Sequence, residues 1–287
     1  MLASPLFADA VAHVLDEKWA GAITKYQILV VLAAVIVAAL TIPLARKVQT
    51  GEPVRGPLWN ALEGLLLFIR DEVARPNIHS GHDHHEFHSD AGEHLHEAIE
   101  AHRDPEHYLA DKYVPLLWTL FLFILTCNLL GMIPFLGSPT ASISVTAVMA
   151  LIVFVVITVS AVARLGPVGY VRSFIPVLKA DNLPMQILLS VVIVPLISVI
   201  EFAGSILRAA ILAIRLFANI FAGHVALGVI LAFAVAANGA LSYGGGAAAV
   251  LMGTALSMLE LFVAFLQAFV FTLLTSIFLG MQLNPEH

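Results

Sequence analysis

Apolar residues run along this chain in blocks of about 20 or more, separated by shorter polar stretches; the first block spans 28–45. A hydrocarbon core about 30 Å thick takes roughly 20 apolar residues as a helix, so this block reads as a membrane span. The pattern changes over 46–76. In "PLWNALEGLLLFIRDEVAR" apolar side chains recur every three or four positions with charges between them. That spacing gives a helix one apolar stripe and predicts an element resting on a membrane surface. Apolar blocks resume over 113–164, interrupted at "GMIPFLGSPT", where glycine and proline predict a tight turn between two spans. Two longer blocks follow, 183–237 and 247–287, joined by a glycine-rich turn at 238–246. As one helix the first would extend roughly 80 Å at 1.5 Å per residue. Either it folds back, with Pro195 and Gly204 the candidate turns, or it lies steeply tilted. Tilt against another protein surface is the expectation, because long helices absorb excess length that way.

Composition agrees with this reading. The chain has 287 residues, 60% of them hydrophobic and 12% charged, so the expected fold is an all-α polytopic membrane protein with five passes. The net charge of -6 hides an uneven distribution: the 175 residues from Tyr113 onward hold only five Lys/Arg and four Asp/Glu. No nucleic-acid partner is expected. Loops 46–112 and 164–182 hold seven and three Lys/Arg, including Arg46, Lys47, Arg172 and Lys179, whereas the turns at 137–141 and 238–246 hold none. The positive-inside rule then places residues 1–27 outside and the C-terminus in the cytoplasm. The N-terminal stretch lacks a basic start followed by an apolar core, so the first span reads as a retained anchor. Cys127 is the single cysteine and reads as a small buried thiol, with no internal disulfide open to it.

The insertion 77–112 is of another kind. Nine of the twelve histidines and eight acids fall within 77–107. It has too few apolar residues to form a core and reads as a solvated cytoplasmic loop with a short helix near 93–102. His84 and His88, a helical turn apart, are weak candidates for binding zinc or nickel; a solvated or locally helical loop is the favoured reading.

Candidate chemistry lies in the most apolar part. "ILRAAILAIRLFANIFAGH", residues 206–224, buries two cations among lipid-compatible residues. Glu201, Arg208 and Arg215 recur at seven-residue intervals, which puts them on one narrow stripe of an α-helix, with Asn219 one turn further. Glu260 and Gln267 share a face of the last helix. Each ionisable group in a membrane costs roughly 2.5–3.5 kcal/mol even on the lenient insertion scale. Such groups therefore face protein or an aqueous cavity. Ion pairs stitching helices together would account for Glu201 and Arg208. Arg215 has no acid within one turn in sequence. Its guanidinium does not deprotonate, so it can only be a fixed positive charge, which becomes useful if a carboxylate moves past it. His224 and Glu260 are titratable and suit proton delivery.

On these residues the chain resembles subunit a of the F-type ATP synthase. The resemblance is carried by "ILAIRLFANIFAGH", "LELFVAFLQAFVFTLLTSIFL" and the hairpin "LLGMIPFLGSPTASISVT", with the RLFxNxxAG core and the LQAFxF segment in the family's order. It implies a steeply tilted helical hairpin wrapped against a ring of c subunits. Arg215 would face the ring carboxylate. Glu201 and Arg208 would belong to a cytoplasmic half-channel, and Asn219, His224, Glu260 and Gln267 to an outer half-channel and the surroundings of the arginine. Some members have Glu where this chain has His224 and His where it has Glu260, so the acid–imidazole pair is kept with its members exchanged. Ser142 stands where some members carry a carboxylate, which leaves its part in the outer half-channel open. The implied partners are c-ring proteolipids, peripheral-stalk b subunits, the rest of the synthase and lipid; the implied location is a bacterial inner membrane.

The expected function is thus proton translocation coupled to rotation. A Na⁺-translocating version of the same subunit stays open, as does a divalent-metal transporter built around the histidine loop. The metal reading lacks HxxxD or HxxxE pairs within the spans. No nucleotide-binding signature occurs, no cofactor is expected, and no catalytic site is expected on this chain.

Overall fold

The computed structural model describes residues 18–20, 23–50, 56–78, 105–133, 138–175, 193–236 and 242–283. Six helices dominate: α1 (Lys25–Thr50), α2 (Pro57–Phe68), α3 (Pro105–Gly131), α4 (Ile143–Arg172), α5 (Val194–Ala236) and α6 (Ser242–Leu283). Two short antiparallel strands, β1 (Lys18–Ala20) and β2 (Ile23–Thr24), precede α1. The all-α expectation did not include them; two- and three-residue strands are too short to leave an alternating pattern. Among the described residues, five helical stretches are long and apolar enough to cross a membrane: Lys25–Lys47, Ala110–Gly131, Ile143–Arg172, Val194–Ile230 and Val250–Leu283. Large apolar side chains lie exposed along them, including Val31, Leu151, Val199, Ile211 and Leu251, as a lipid or protein environment requires.

Helix ends depart from the hydropathy reading in instructive places. α4 continues past Arg164 to Arg172, with a kink where Gly166 takes φ 74° and ψ 163° ahead of Pro167. A proline disfavours helical geometry in the residue before it, and a glycine there can turn left-handed without a Cβ penalty. Part of the anticipated loop 165–182 is therefore helical. α5 runs without a break through Gly204, and Pro195 sits at its start, where a missing N–H is harmless. The described part of this segment does not fold back. At 43 residues it extends about 64 Å. α6 begins at Ser242 and takes in Gly244, Gly245 and Gly246, so the anticipated turn at 238–246 is partly helix. α3 likewise starts at Pro105, inside the anticipated loop 77–112. Residues 79–104 of the histidine-rich segment, with His84, His88 and the expected helix at 93–102, lie outside the described residues.

The chain forms two compact units. The first comprises Met1–Val54, Thr119–Ala150 and Ala210–Phe271. There Ala33 of α1 packs on Cys127 and Leu130 of α3, with Ile36 and Phe123 around them. Small residues at this contact let the helices approach closely, which dispersion rather than water exclusion rewards in lipid. Phe121 meets Phe265 edge to face, centroids 5.5 Å apart.

The second unit comprises Arg55–Trp118, Leu151–Ala209 and Thr272–His287. α2 buries none of its residues, but the π-helical turn that follows, Ile69–Ala74, buries Ile69, Val73 and Ala74. This element matches the predicted surface helix in position. Val73 O accepts from both Asn77 Nδ2 at 2.8 Å and Ser276 Oγ at 2.8 Å. Arg75 ties the turn to α3 through both Asp111 oxygens, at 3.1 and 3.2 Å. Arg70 donates to Asp71 at 2.8 Å and holds that carboxyl below its ordinary range.

Candidate membrane cavity and its polar lining

In the first unit, α3, α5 and α6 line a partly open cavity of about 250 Å³. Its wall includes Asn128 and Gly131 of α3, Asn219 and Gly223 of α5, and Glu260 of α6. Such a volume has room for roughly eight waters at about 30 Å³ each. Asn219 Nδ2 and Glu260 Oε1 are buried with no hydrogen-bond partner among the described residues. Polar groups in that condition are costly unless water or a bound proton satisfies them. Gln267, 7% exposed, has its Nε2 in the same condition, but it does not line the cavity.

Gly223 is what lets the carboxylate come so close to α5. A Cβ on it would stand 2.6 Å from Glu260 Oε1 and 3.2 Å from Cδ. Sequence reasoning named Glu260 and Asn219 but passed over this glycine and Asn128. Asn128 was legible as an amide in the apolar run "FILTCNLLGM", since buried amides between membrane helices need partners. Its Nδ2 donates to Ala264 O of α6 at 3.3 Å, and Thr140 Oγ1 donates to its Oδ1 at 3.0 Å. Thr140 belongs to a 3₁₀ turn, Pro139–Ala141, that joins α3 to α4. Gly131 faces that turn so closely that a Cβ would overlap the Ser138 side chain. Ser142 ends the same turn, and its carbonyl accepts from Thr146 N at 3.2 Å.

Arg215 lies on α5 within the same unit and is exposed. Among the described residues it has no ion-pair partner. Neighbouring apolar side chains Ile211 and Ile214 are exposed as well, at 59% and 54%. The arginine is thus surrounded on α5 by side chains that need a cover. His224 continues α5 in its backbone; its side chain lies outside the described residues.

Glu201 and Arg208 fall in the second unit, both partly buried. The Arg208 guanidinium carbon lies 5.6 Å from the centroid of the Phe278 ring on α6, an arrangement that holds a cation in low dielectric through the ring's quadrupole. The structure therefore gives Arg208 an aromatic neighbour that sequence spacing could not reveal, and among the described residues no Glu201–Arg208 ion pair forms. No group of three or more metal-ligating side chains occurs among the described residues.

The family described as ATP synthase A chain matches residues 95–280. The chain is similar to ATP synthase subunit a of Myxococcus xanthus, 32% identical over 269 residues, covering 92% of this chain and 74% of that one. Similarity to ATP synthase subunit a of Chlorobium phaeobacteroides is 33% over 273 residues, 92% of this chain and 66% of that protein. For the subunit a of an Anaeromyxobacter species it is 31% over 281 residues, 95% of this chain but 59% of the relative. The matched region of the family takes in the cavity, Arg215, Glu201, Arg208 and the whole helical run from α3 to Gly280, and with it the chain belongs to the ATP synthase A chain family.

Proposed function

We propose that this chain is the proton-translocating stator subunit of a rotary ATP synthase, and that it carries two aqueous half-channels that load and unload carboxylates on a ring of c subunits. Protons enter from outside through the cavity between α3, α5 and α6, with Asn219, His224 and Glu260 delivering them and Gln267 serving near the arginine. They leave to the cytoplasm past Glu201 and Arg208. Arg215 keeps the passing ring carboxylate ionised between the two and blocks a direct leak, since a guanidinium neither gives up its proton nor allows a neutral acid an advantage beside it. Each elementary charge moved through 100 mV releases about 2.3 kcal/mol, so several protons drive one ATP synthesis on other subunits.

The observation that carries this reading is the pairing, in one unit, of a roomy cavity holding an unpartnered Glu260 oxygen with an exposed Arg215 that has no acid among the described residues. A structural ion-pair network would satisfy both groups internally. The chain's place is then the bacterial inner membrane, N-terminus outside and C-terminus inside. Its partners are the c-ring proteolipids over the exposed apolar face around Arg215, the peripheral-stalk b subunits, and the remaining synthase. Affinity purification of the tagged chain from mildly solubilised membranes tests the partner. A small two-helix proteolipid with a mid-membrane Asp or Glu is expected to come with it; its consistent absence beside an intact chain would rule the reading out.

A further inference from the structure

Ser138, Thr140 and Asn128 form a buried hydrogen-bonded row, 1%, 0% and 1% exposed, that ends on the Ala264 carbonyl of α6. Distances alone leave the Ser138–Thr140 contact of 2.7 Å ambiguous as to donor. The end of the row removes the ambiguity. A backbone carbonyl only accepts, so Asn128 must turn its NH₂ toward Ala264 and its Oδ1 toward Thr140. Thr140 has a single hydroxyl proton, which Oδ1 requires. Ser138 must then donate to Thr140, and the polarity of the whole row is fixed.

We propose that Thr140 is a positioning residue for the outer inlet: its hydroxyl locks the Asn128 amide so that the cavity receives an N–H donor and not the amide oxygen. The inference rests on reading the cavity as a proton inlet. Asn128 lines that cavity together with Glu260, and its Nδ2 carries two N–H groups, of which Ala264 takes one. A water accepted from the second keeps both of its own protons free to point at the Glu260 carboxylate. A flipped amide would instead present Oδ1, which draws those protons away. The same lock anchors α6 at Ala264, one turn beyond Glu260, so it sets both the polarity of the inlet and the height of its acid.

Ser138 lies outside this lock, because Thr140 spends its proton on Asn128 whether or not Ser138 donates to it. The variants Thr140→Val, Thr140→Ser, Asn128→Leu, Ser138→Ala and the double Thr140→Val/Asn128→Leu test the proposal in whole complexes reconstituted in vesicles. ATP-driven proton uptake is read per assembled complex. Thr140→Val is expected to lose roughly five- to tenfold, the scale of an unsatisfied buried acceptor, while Thr140→Ser stays within about twofold. The double variant should lose no more than Asn128→Leu alone, as residues acting through one contact do. Wild-type uptake in Thr140→Val overturns the proposal. So does failure of Thr140→Val to assemble, which would make the hydroxyl a support of the fold, and so does a loss in Ser138→Ala equal to that in Thr140→Val. Absence of pumping by the unmodified complex would instead refute the underlying reading of the inlet.

Discussion

Substituting alanine for Gly223 isolates the contact between α5 and the inlet acid. The added Cβ would stand 2.6 Å from Glu260 Oε1, 3.2 Å from Cδ and 3.4 Å from Cγ. Ordinary carbon–oxygen contacts settle near 3.3–3.6 Å, so the carboxylate must retreat by roughly 0.7–1.0 Å. The glutamate end is the part that yields. It borders about 250 Å³ of open cavity, whereas moving either helix would disturb packing throughout the unit. An off-rotamer side chain costs about 0.5–1.5 kcal/mol, and replacing a mid-helix glycine by alanine returns about 1 kcal/mol. Net stability should therefore change by less than about 1 kcal/mol. Proton delivery should change far more, because a displacement of about 1 Å in a reacting group can cost about a hundredfold. The expectation is a complex assembled in normal amount whose ATP-driven pumping falls roughly ten- to a hundredfold. Shortening the acid in the same background, Gly223→Ala with Glu260→Asp, withdraws the carboxylate by one methylene and should recover part of the loss. Normal pumping in Gly223→Ala would refute the reasoning. A failure to assemble would refute it differently, by showing that the helices and not the carboxylate give way.

Other consequences can be checked alongside it. Phe278→Leu keeps apolar volume but removes the ring beside Arg208, which should loosen that side chain by about 0.5–1 kcal/mol and slow proton release; Phe278→Tyr should behave as the parent. Equal rates in the two would show that the ring's face is not used. Asp71 braces the π turn locally through Arg70 and Arg75, at 2.8 and 3.0 Å. Its folded pKa is depressed, so this contribution is complete above the ordinary carboxylate pKa and fades as pH falls through the lowered value. Because the side chain is 44% exposed, the effect stays below about 1 kcal/mol. Limited proteolysis near Arg75 should accelerate below about pH 4 and Asp71→Asn should remove that dependence; an Asn variant with the same acid sensitivity would contradict the assignment.

The legibility of this protein from sequence divides along physical lines. Apolar block length revealed the five crossing-competent helices, because bilayer thickness and helical rise leave little choice. Block edges were less reliable. Hydropathy falls at Arg164 and across Gly244–Gly246, yet the chain stays helical across the glycines and resumes helix beyond the Gly166 kink, since the backbone ladder does not require apolar side chains. Seven-residue spacing placed Arg208 and Arg215 on one helix, but which surfaces cover them is a tertiary fact: Phe278 beside Arg208 lies 70 residues away in the chain. Glu260 and Asn219 were identified from the expense of placing them in lipid. Gly223 was missed because a glycine's role rests on what occupies the space its side chain lacks. The row from Ser138 to Asn128 escaped notice because hydroxyls are unremarkable in a turn until an amide from another helix meets them.

The central claim is that a fixed guanidinium at Arg215 couples proton flow to a partner's carboxylate. Arg215→Ala in the assembled complex, reconstituted in vesicles and supplied with ATP, tests it directly through acidification of the lumen. The account predicts loss of ATP-driven acidification with the complex still assembled. Acidification at the parent rate would contradict it.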